Sequence, residues 1–334
     1  MTSKNIDSES LGEEFYQVSP EILASFPKFR LPLNLYRFRE DIGVLEPFYY
    51  ANNRLDQNMQ KELHQYCQEG QIFVSRHDHK IYAQHISKQL DLILVDKNLT
   101  SQEIVYTIRH ALTEKTGEFF EQPVPVVLEN LRFDVQVTTQ YIWDDPHRIN
   151  SLLKMLWQDY SWARLCYNST IIGMALFIEL QGDSLRRKHL DQLALGLATH
   201  LVGLTKVPKV ILEKKTNLSR EEKSKLQNYP MVGATIMRKL DVLEEIVLNC
   251  HLEHKELLDG TGYPRGLKTG EMSLYGKLAS LVHTFSEMTT KDSGASADIG
   301  KSLEYLARST DKYDSKLVKK LLKSSQKIRT SQES

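Results

Sequence analysis

From Tyr167 to the end of the chain, apolar residues recur at three- and four-residue spacing in successive segments separated by only a few polar residues. That period belongs to helices that pack on one another, and it leaves no strand-length alternation from which a sheet could be built. Ile171 to Leu180 and Leu190 to Leu204 are the most apolar of these segments, and Gln181-Gly-Asp-Ser184 breaks the chain between them. Arg220 to Gln227 follows Ser219, whose hydroxyl is placed to cap a helix, and Glu222 completes a capping box three residues on. Met231 to Leu240, Leu243 to His254, Ser273 to Met288, Ala297 to Arg308 and Ser315 to Ile328 carry the same period. The second half of the chain therefore reads as a helical bundle.

The first half does not. Leu33 to Phe38 alternates like a strand, Gln57 to Cys67 has helical spacing up to a stop at Gly70, and Gln71 to Ser75 and Leu90 to Val95 read as buried strands. Thr100 or Ser101 caps a helix running to about Leu112. The run from Glu121 to Asp145, with its Gln-Pro-Val-Pro start and its Trp-Asp-Asp-Pro146 end, reads as a linker, and a helix from His147 to about Trp157 leads into the bundle. The fold class is α+β: a polar, disordered N-terminus over residues 1–15, a small α/β regulatory domain plus linker over 16–140, and an all-α domain over 141–330.

Composition excludes more than it assigns. Lys plus Arg equals Asp plus Glu at 43 each, so no net field favours a nucleic-acid polymer or an anionic membrane. Cys67, Cys166 and Cys250 match neither a disulfide framework nor a cysteine metal pattern, which points to reduced thiols and a cytoplasmic protein. The start of the chain lacks the order of a signal peptide, and no apolar run reaches the 18 or so residues of a membrane span. The His77-Asp78-His79 triplet reads as a solvated loop because adjacent side chains diverge. The basic C-terminal helix, with Lys316, Lys319, Lys320, Lys323 and Lys327 on one face and Leu317, Leu321 and Ile328 on the other, reads as docked on the bundle.

One stretch carries chemistry: His251 to Leu267. His254, Lys255, Glu256 and Asp259 crowd a helix end, and Gly260, Gly262, Pro264 and Gly266 force a tight loop after it. The run His254-Lys-Glu-Leu-Leu-Asp-Gly-Thr-Gly-Tyr-Pro264 resembles the signature His-His-Glu-x-x-Asp-Gly-x-Gly-Tyr-Pro of the HD-GYP family. Leu197-Ala-Thr-His-Leu-Val-Gly-Leu-Thr-Lys-Val-Pro208 resembles the family's Leu-Leu-His-Asp-Ile-Gly-Lys-Ile-x-Val-Pro run. Asn217 to Glu222, Asn228 to Gly233 and Leu278 to Thr290 resemble the segments that follow, the last an Ala-Asp-x-Phe-Asp-Ala-Leu-Thr pattern.

The resemblance implies a bacterial signalling domain related to phosphodiesterases that open cyclic di-GMP with two or three iron or manganese ions. It also implies that several ligand positions are altered. Asn168, Leu201, Tyr229 and Lys255 stand where the family has His, Asp, His and His; His283 stands for an Asp, and Leu204 for the Lys that contacts phosphate. Leu has no donor atom, and an ammonium has no lone pair and repels cations. The expectation is therefore a catalytically inactive domain with no cofactor and no catalytic residues, acting by binding cyclic di-GMP or a GGDEF-type or other signalling protein, possible as a homodimer. Its candidate ligand-binding residues are His200, His254, Lys255, Glu256, Asp259, Gly260, Gly262, Tyr263, Pro264 and Arg265. The alternative is an active metal-dependent cyclic di-GMP phosphodiesterase with a rebuilt site, in which His200, His254 and His283 hold iron, manganese or zinc with help from Glu256 or Asp259.

Overall fold

The structure, a computed structural model, describes residues 4–5, 14–26, 30–78, 81, 87–94, 99–214, 217–290 and 298–329. Most of the N-terminal segment expected to be disordered, and His79 of the His77 triplet, lie outside these residues. The chain divides into two compact units, residues 1–111 and 112–334.

The first unit is built on an antiparallel five-stranded sheet of order β1-β4-β3-β5-β2. Its strands are β1 (Lys4–Asn5), β2 (Phe15–Gln17), β3 (Leu35–Arg39), β4 (Val44–Tyr49) and β5 (Ile72–Ser75). Helix α1 (Pro20–Ser25) starts at the Ser19 cap, and α2 (Gln57–Gln68) starts at Asp56, whose carboxylate accepts from Met59 N–H at 2.8 Å. Leu33, Leu35, Ile72 and Val74 fill the core. The strand expected at Leu90 to Val95 is instead a 3-10 helix, Ser87–Leu94, with Val95 outside the described residues. A short apolar run fits a buried strand and a helical turn equally well, so period alone could not separate them.

Helix α3 (Ser101–Glu121) continues well past Leu112. Thr100 and Glu103 form a reciprocal cap, Glu103 N–H to Thr100 Oγ1 at 3.3 Å and Thr100 N–H to Glu103 Oε2 at 2.8 Å. The expected linker after it is helix α4 (Pro125–Asp144), which buries Leu128, Leu131, Val135 and Ile142. Pro125 occupies the first turn, where a missing N–H costs nothing, so it begins a helix where the sequence reading placed a loop. The division near residue 140 thus falls inside a continuous helix. The expected helix from His147 to Trp157 shortens to a 3-10 turn, Pro146–Arg148, and α5 (Ile149–Leu153).

The rest is helical: α6 (Trp162–Gln181), α7 (Arg187–Thr199), α8 (Lys209–Glu213), α9 (Arg220–Gln227), α10 (Tyr229–Lys239), α11 (Glu245–Glu253), α12 (Leu274–Thr289), α13 (Ile299–Arg308) and α14 (Ser315–Arg329). Helix α6 is the hub, buried without interruption from Leu165 to Phe177, with α7, α12 and α14 packed on it and α11 against α7 and α12. The Ser219–Glu222 capping box of α9 is formed. Helix α14 docks as expected: Leu317 and Leu321 are buried, Lys320 donates to Glu179 O at 3.0 Å, and Lys323 meets Glu179 Oε1 at 3.4 Å. Among the described residues no helix is long and apolar enough to cross a membrane.

Candidate functional site

Three helix boundaries and one helix interior bring the pocket together. Helix α7 stops at Thr199, short of the expected Leu204, and His200 is its cap residue. His254 caps the C-terminus of α11, Tyr229 opens α10, and His283 lies midway along α12. The approach of α10 depends on Gly203, since a Cβ there would stand 1.9 Å from Tyr229 O. The His200, His254 and His283 ring centroids are 4.8, 5.0 and 5.1 Å apart in pairs, and all three rings are buried.

Their hydrogen bonds fix the tautomers. His200 Nδ1–H donates to Leu197 O at 2.6 Å, and His254 Nδ1–H donates to His251 O at 2.8 Å. Both rings therefore turn an unprotonated Nε2 into the pocket. His283 Nδ1–H donates to the first of these at 2.9 Å, and the Tyr229 hydroxyl donates to the second at 2.7 Å. This leaves His283 Nε2 as a buried lone pair with no hydrogen-bond partner. Burial holds all three histidines neutral: the His200 and His254 pKa values lie well below 6.5, and that of His283 is pushed down to about 4 by burial and by the nearby Lys255 ammonium. Burial raises the Tyr229 phenol well above its usual value, so it stays a donor.

At the edge of this cluster, Lys255 Nζ donates to Glu287 Oε2 at 2.8 Å, and the same carboxylate oxygen lies 3.6 Å from His283 Nε2. Burial alone would raise the Glu287 pKa; the contact with His283 and the charge and hydrogen bond of the Lys255 ammonium outweigh that, so it is held far below the usual carboxylate range. The sequence reading missed Glu287. The available signal was its spacing, one helical turn after His283, combined with a charge opposite to that of Lys255.

Several expected site residues face elsewhere. Glu256 is fully buried and accepts from Arg265 N–H at 2.6 Å and Leu267 N–H at 2.9 Å. Asp259 accepts from the Thr261 N–H and hydroxyl at 2.9 and 2.7 Å. The Arg265 guanidinium donates to Glu253 at 3.0 Å, and Glu253 also accepts from Ser273 N–H and Oγ–H at the start of α12. Gly262 is required because a Cβ would stand 2.3 Å from Leu257 N, and Gly260 because its φ is +81°. Tyr263, joined to Pro264 through a cis peptide, turns its ring toward Tyr229 at 6.4 Å. Asn168 spends its amide on Trp157, accepting from its N–H at 2.9 Å and donating to its carbonyl at 2.8 Å.

The donor set sorts the metal possibilities. Neutral imidazoles suit a borderline cation such as zinc or iron, and the orphaned Nε2 of His283 is a lone pair in want of one. A carboxylate-bridged metal pair does not fit, because buried Leu201 offers no donor and Lys255 presents an ammonium. Among the described residues no three His, Cys, Asp or Glu side chains already ring a common point. A single cation would take the lone pairs that His283 N–H and Tyr229 O–H engage in this structure.

A family model described as "HD domain" matches residues 158–317. The chain is 31% identical over 156 residues to the cyclic di-GMP phosphodiesterase PdeB of Borreliella burgdorferi, covering 46% of this chain and 40% of that one. It is 26% identical over 147 residues to the cyclic di-GMP phosphodiesterase PA4108 of Pseudomonas aeruginosa, covering 43% and 34%. The matches thus span well under half of these curated relatives. Among solved structures, Bd1817, an HDG"Y"P protein from Bdellovibrio bacteriovorus, superposes with a TM-score of 0.60 at 14% identity over 92% of this chain and 98% of that one, a likeness of fold. The matches overturn the expectation of no cofactor, since the phosphodiesterases of this group are metal-dependent.

Proposed function

We propose that this chain, whose residues 158–317 are an HD-GYP family domain, binds cyclic di-GMP in the histidine pocket and hydrolyses one of its phosphodiester bonds with a metal ion as cofactor. The observation that carries the proposal is the trio of buried, neutral imidazoles within 5.1 Å of one another, whose Nε2 lone pairs face the pocket. The named phosphodiesterase relatives support the substrate through the domain they share with this chain.

His200, His254 and His283 are the residues that would hold the ion. When bound, a cation supplies hydroxide near neutral pH and draws charge from the phosphate oxygens. Tyr229 keeps a proton at His254 Nε2 and sets the orientation of that ring. Lys255 offers its ammonium to a phosphate oxygen at the pocket edge. The Glu253 and Glu256 clasps fix the loop that carries Tyr263 and Arg265, and the inward turn of Tyr263 favours a part in the pocket wall over docking of a protein partner.

The test is turnover of cyclic di-GMP by the full chain, purified without chelator and supplied with iron, manganese or zinc. The expected result is a linear dinucleotide, with His254→Ala and His283→Ala each abolishing its formation. Binding without any product under all three metals would overturn hydrolysis and leave the second reading, a receptor for the nucleotide. Leu201 and Lys255, where the resemblance implies ligands, are the observation in its favour.

A further inference from the structure

The Lys255–Glu287 pair has no counterpart in the resemblance described above, in which both positions differ in residue type. Its geometry couples three groups. Lys255, directly after α11, reaches Glu287 on α12 at 2.8 Å, and the same Glu287 oxygen stands 3.6 Å from His283 Nε2. The carboxylate and that nitrogen are both acceptors, so Lys255 is the donor that makes their proximity tolerable. The Glu287 side chain is 50% exposed and that of Lys255 is 19% exposed, which sets the pair at the rim with the buried histidines behind it. An anion moving toward the histidines meets a negative carboxylate first and finds the rim ammonium already neutralised.

We propose that Glu287 is a built-in competitor for Lys255, which a phosphate group must displace, so that the pair determines how tightly the pocket takes a phosphodiester anion. The proposal rests on the reading of the pocket as a cyclic di-GMP site. A rim ion pair of this exposure is worth at most about 1 kcal/mol, equivalent to roughly fivefold in a dissociation constant.

The experiment is a double-mutant cycle on the full chain, with cyclic di-GMP affinity measured by calorimetric titration. Glu287→Gln keeps the side chain's shape, removes the charge, and is expected to tighten binding roughly fivefold. Lys255→Met is expected to weaken binding, and in its background Glu287→Gln is expected to bring no gain, because no ammonium remains to be released. Weaker or unchanged binding by Glu287→Gln overturns the proposal. A gain that persists with Lys255→Met also overturns it, since the carboxylate would then act by simple repulsion. If wild type binds and turns over the nucleotide but the cycle is flat, only the competition fails. If neither wild type nor any variant binds, the cyclic di-GMP reading fails with it.

Discussion

The loop after α11 and the histidine pocket beside it come from the same short stretch of chain, yet they are finished differently. In the loop every named polar group is satisfied: Glu256 takes two backbone N–H groups, Asp259 holds Thr261, and Glu253 ties Arg265 to the start of α12. In the pocket the Nε2 atoms of His200 and His254 are partnered by other side chains, and that of His283 has no partner. The contrast teaches that residues of one motif do two jobs. Glu256, Asp259 and Gly262 fold the loop, whereas His254 and Lys255 belong to the histidine cluster and its edge. Substitutions should separate the two, with stability lost on one side and ligand handling on the other.

The largest effect is expected from Glu256→Ala. Truncation leaves two inward-facing N–H groups without an acceptor and removes two charge-assisted bonds, for about 4 kcal/mol in total. For a unit of this size that corresponds to a Tm lower by roughly 10 °C in differential scanning calorimetry. An unchanged Tm combined with lost nucleotide affinity would break the comparison, because Glu256 would then belong to the pocket.

Acid is the next perturbation, and it acts on the pocket. The His283 pKa is about 4 in the folded state against 6.5 in an unfolded chain, so the unfolded chain binds the proton more readily. Its contribution is fully present above pH 6.5 and is lost as pH falls from there through about 4, on the order of 3 kcal/mol over that window. Urea midpoints at pH 7.5 and 4.5 should differ in that direction, with His251, held at about 3, adding to the slope. His283→Gln should flatten the slope. If it leaves the slope unchanged, His283 does not drive it.

How far the sequence anticipated these features depended on the range of the signal. The α9 capping box, the docked basic helix and the helical second half were legible because their evidence lies within a few residues or repeats along a segment. Leu90 to Leu94 was misread because an apolar run that short has no distinguishing period, and α4 because Pro125 starts a helix as readily as it interrupts one. In the site, His200, His254 and His283 were named as a possible cluster from the resemblance, and the structure brings them together. Glu256, Asp259 and Arg265 could not be sorted from ligand-facing groups, because a buried carboxylate bound to backbone N–H groups looks the same in sequence as one facing a metal. Glu287 acquires meaning only once α12 lies beside Lys255, 32 residues away in the chain.

Tyr229→Phe sharpens the pocket side at a smaller scale. The ring and its packing remain, but His254 Nε2 loses the hydroxyl proton and becomes a second buried lone pair, at a cost of roughly 1 to 2 kcal/mol. That is a Tm drop of several degrees in the apo chain. If a cation takes that lone pair, the deficit should shrink when zinc is added, because bound metal stabilises only the folded state. A deficit that zinc does not change would show that the Tyr229–His254 bond is structural and that the ion is held elsewhere.

The smallest effect on stability, and the finest test of the contrast, is Lys255→Met. The Glu287 partner is half exposed, so the pair contributes under about 1 kcal/mol to folding, and the methionine stem retains most of the lysine's packing. The Tm should move by at most a few degrees. Removing the ammonium leaves Glu287 and His283 Nε2 as two acceptors 3.6 Å apart with no donor between them, an arrangement that attracts a cation. Zinc affinity, read by competition with a chromogenic chelator, should therefore rise while cyclic di-GMP affinity falls. If both fall together, Lys255 shapes the pocket as a packing element, and the division between a loop that folds and a pocket that binds fails at its boundary residue.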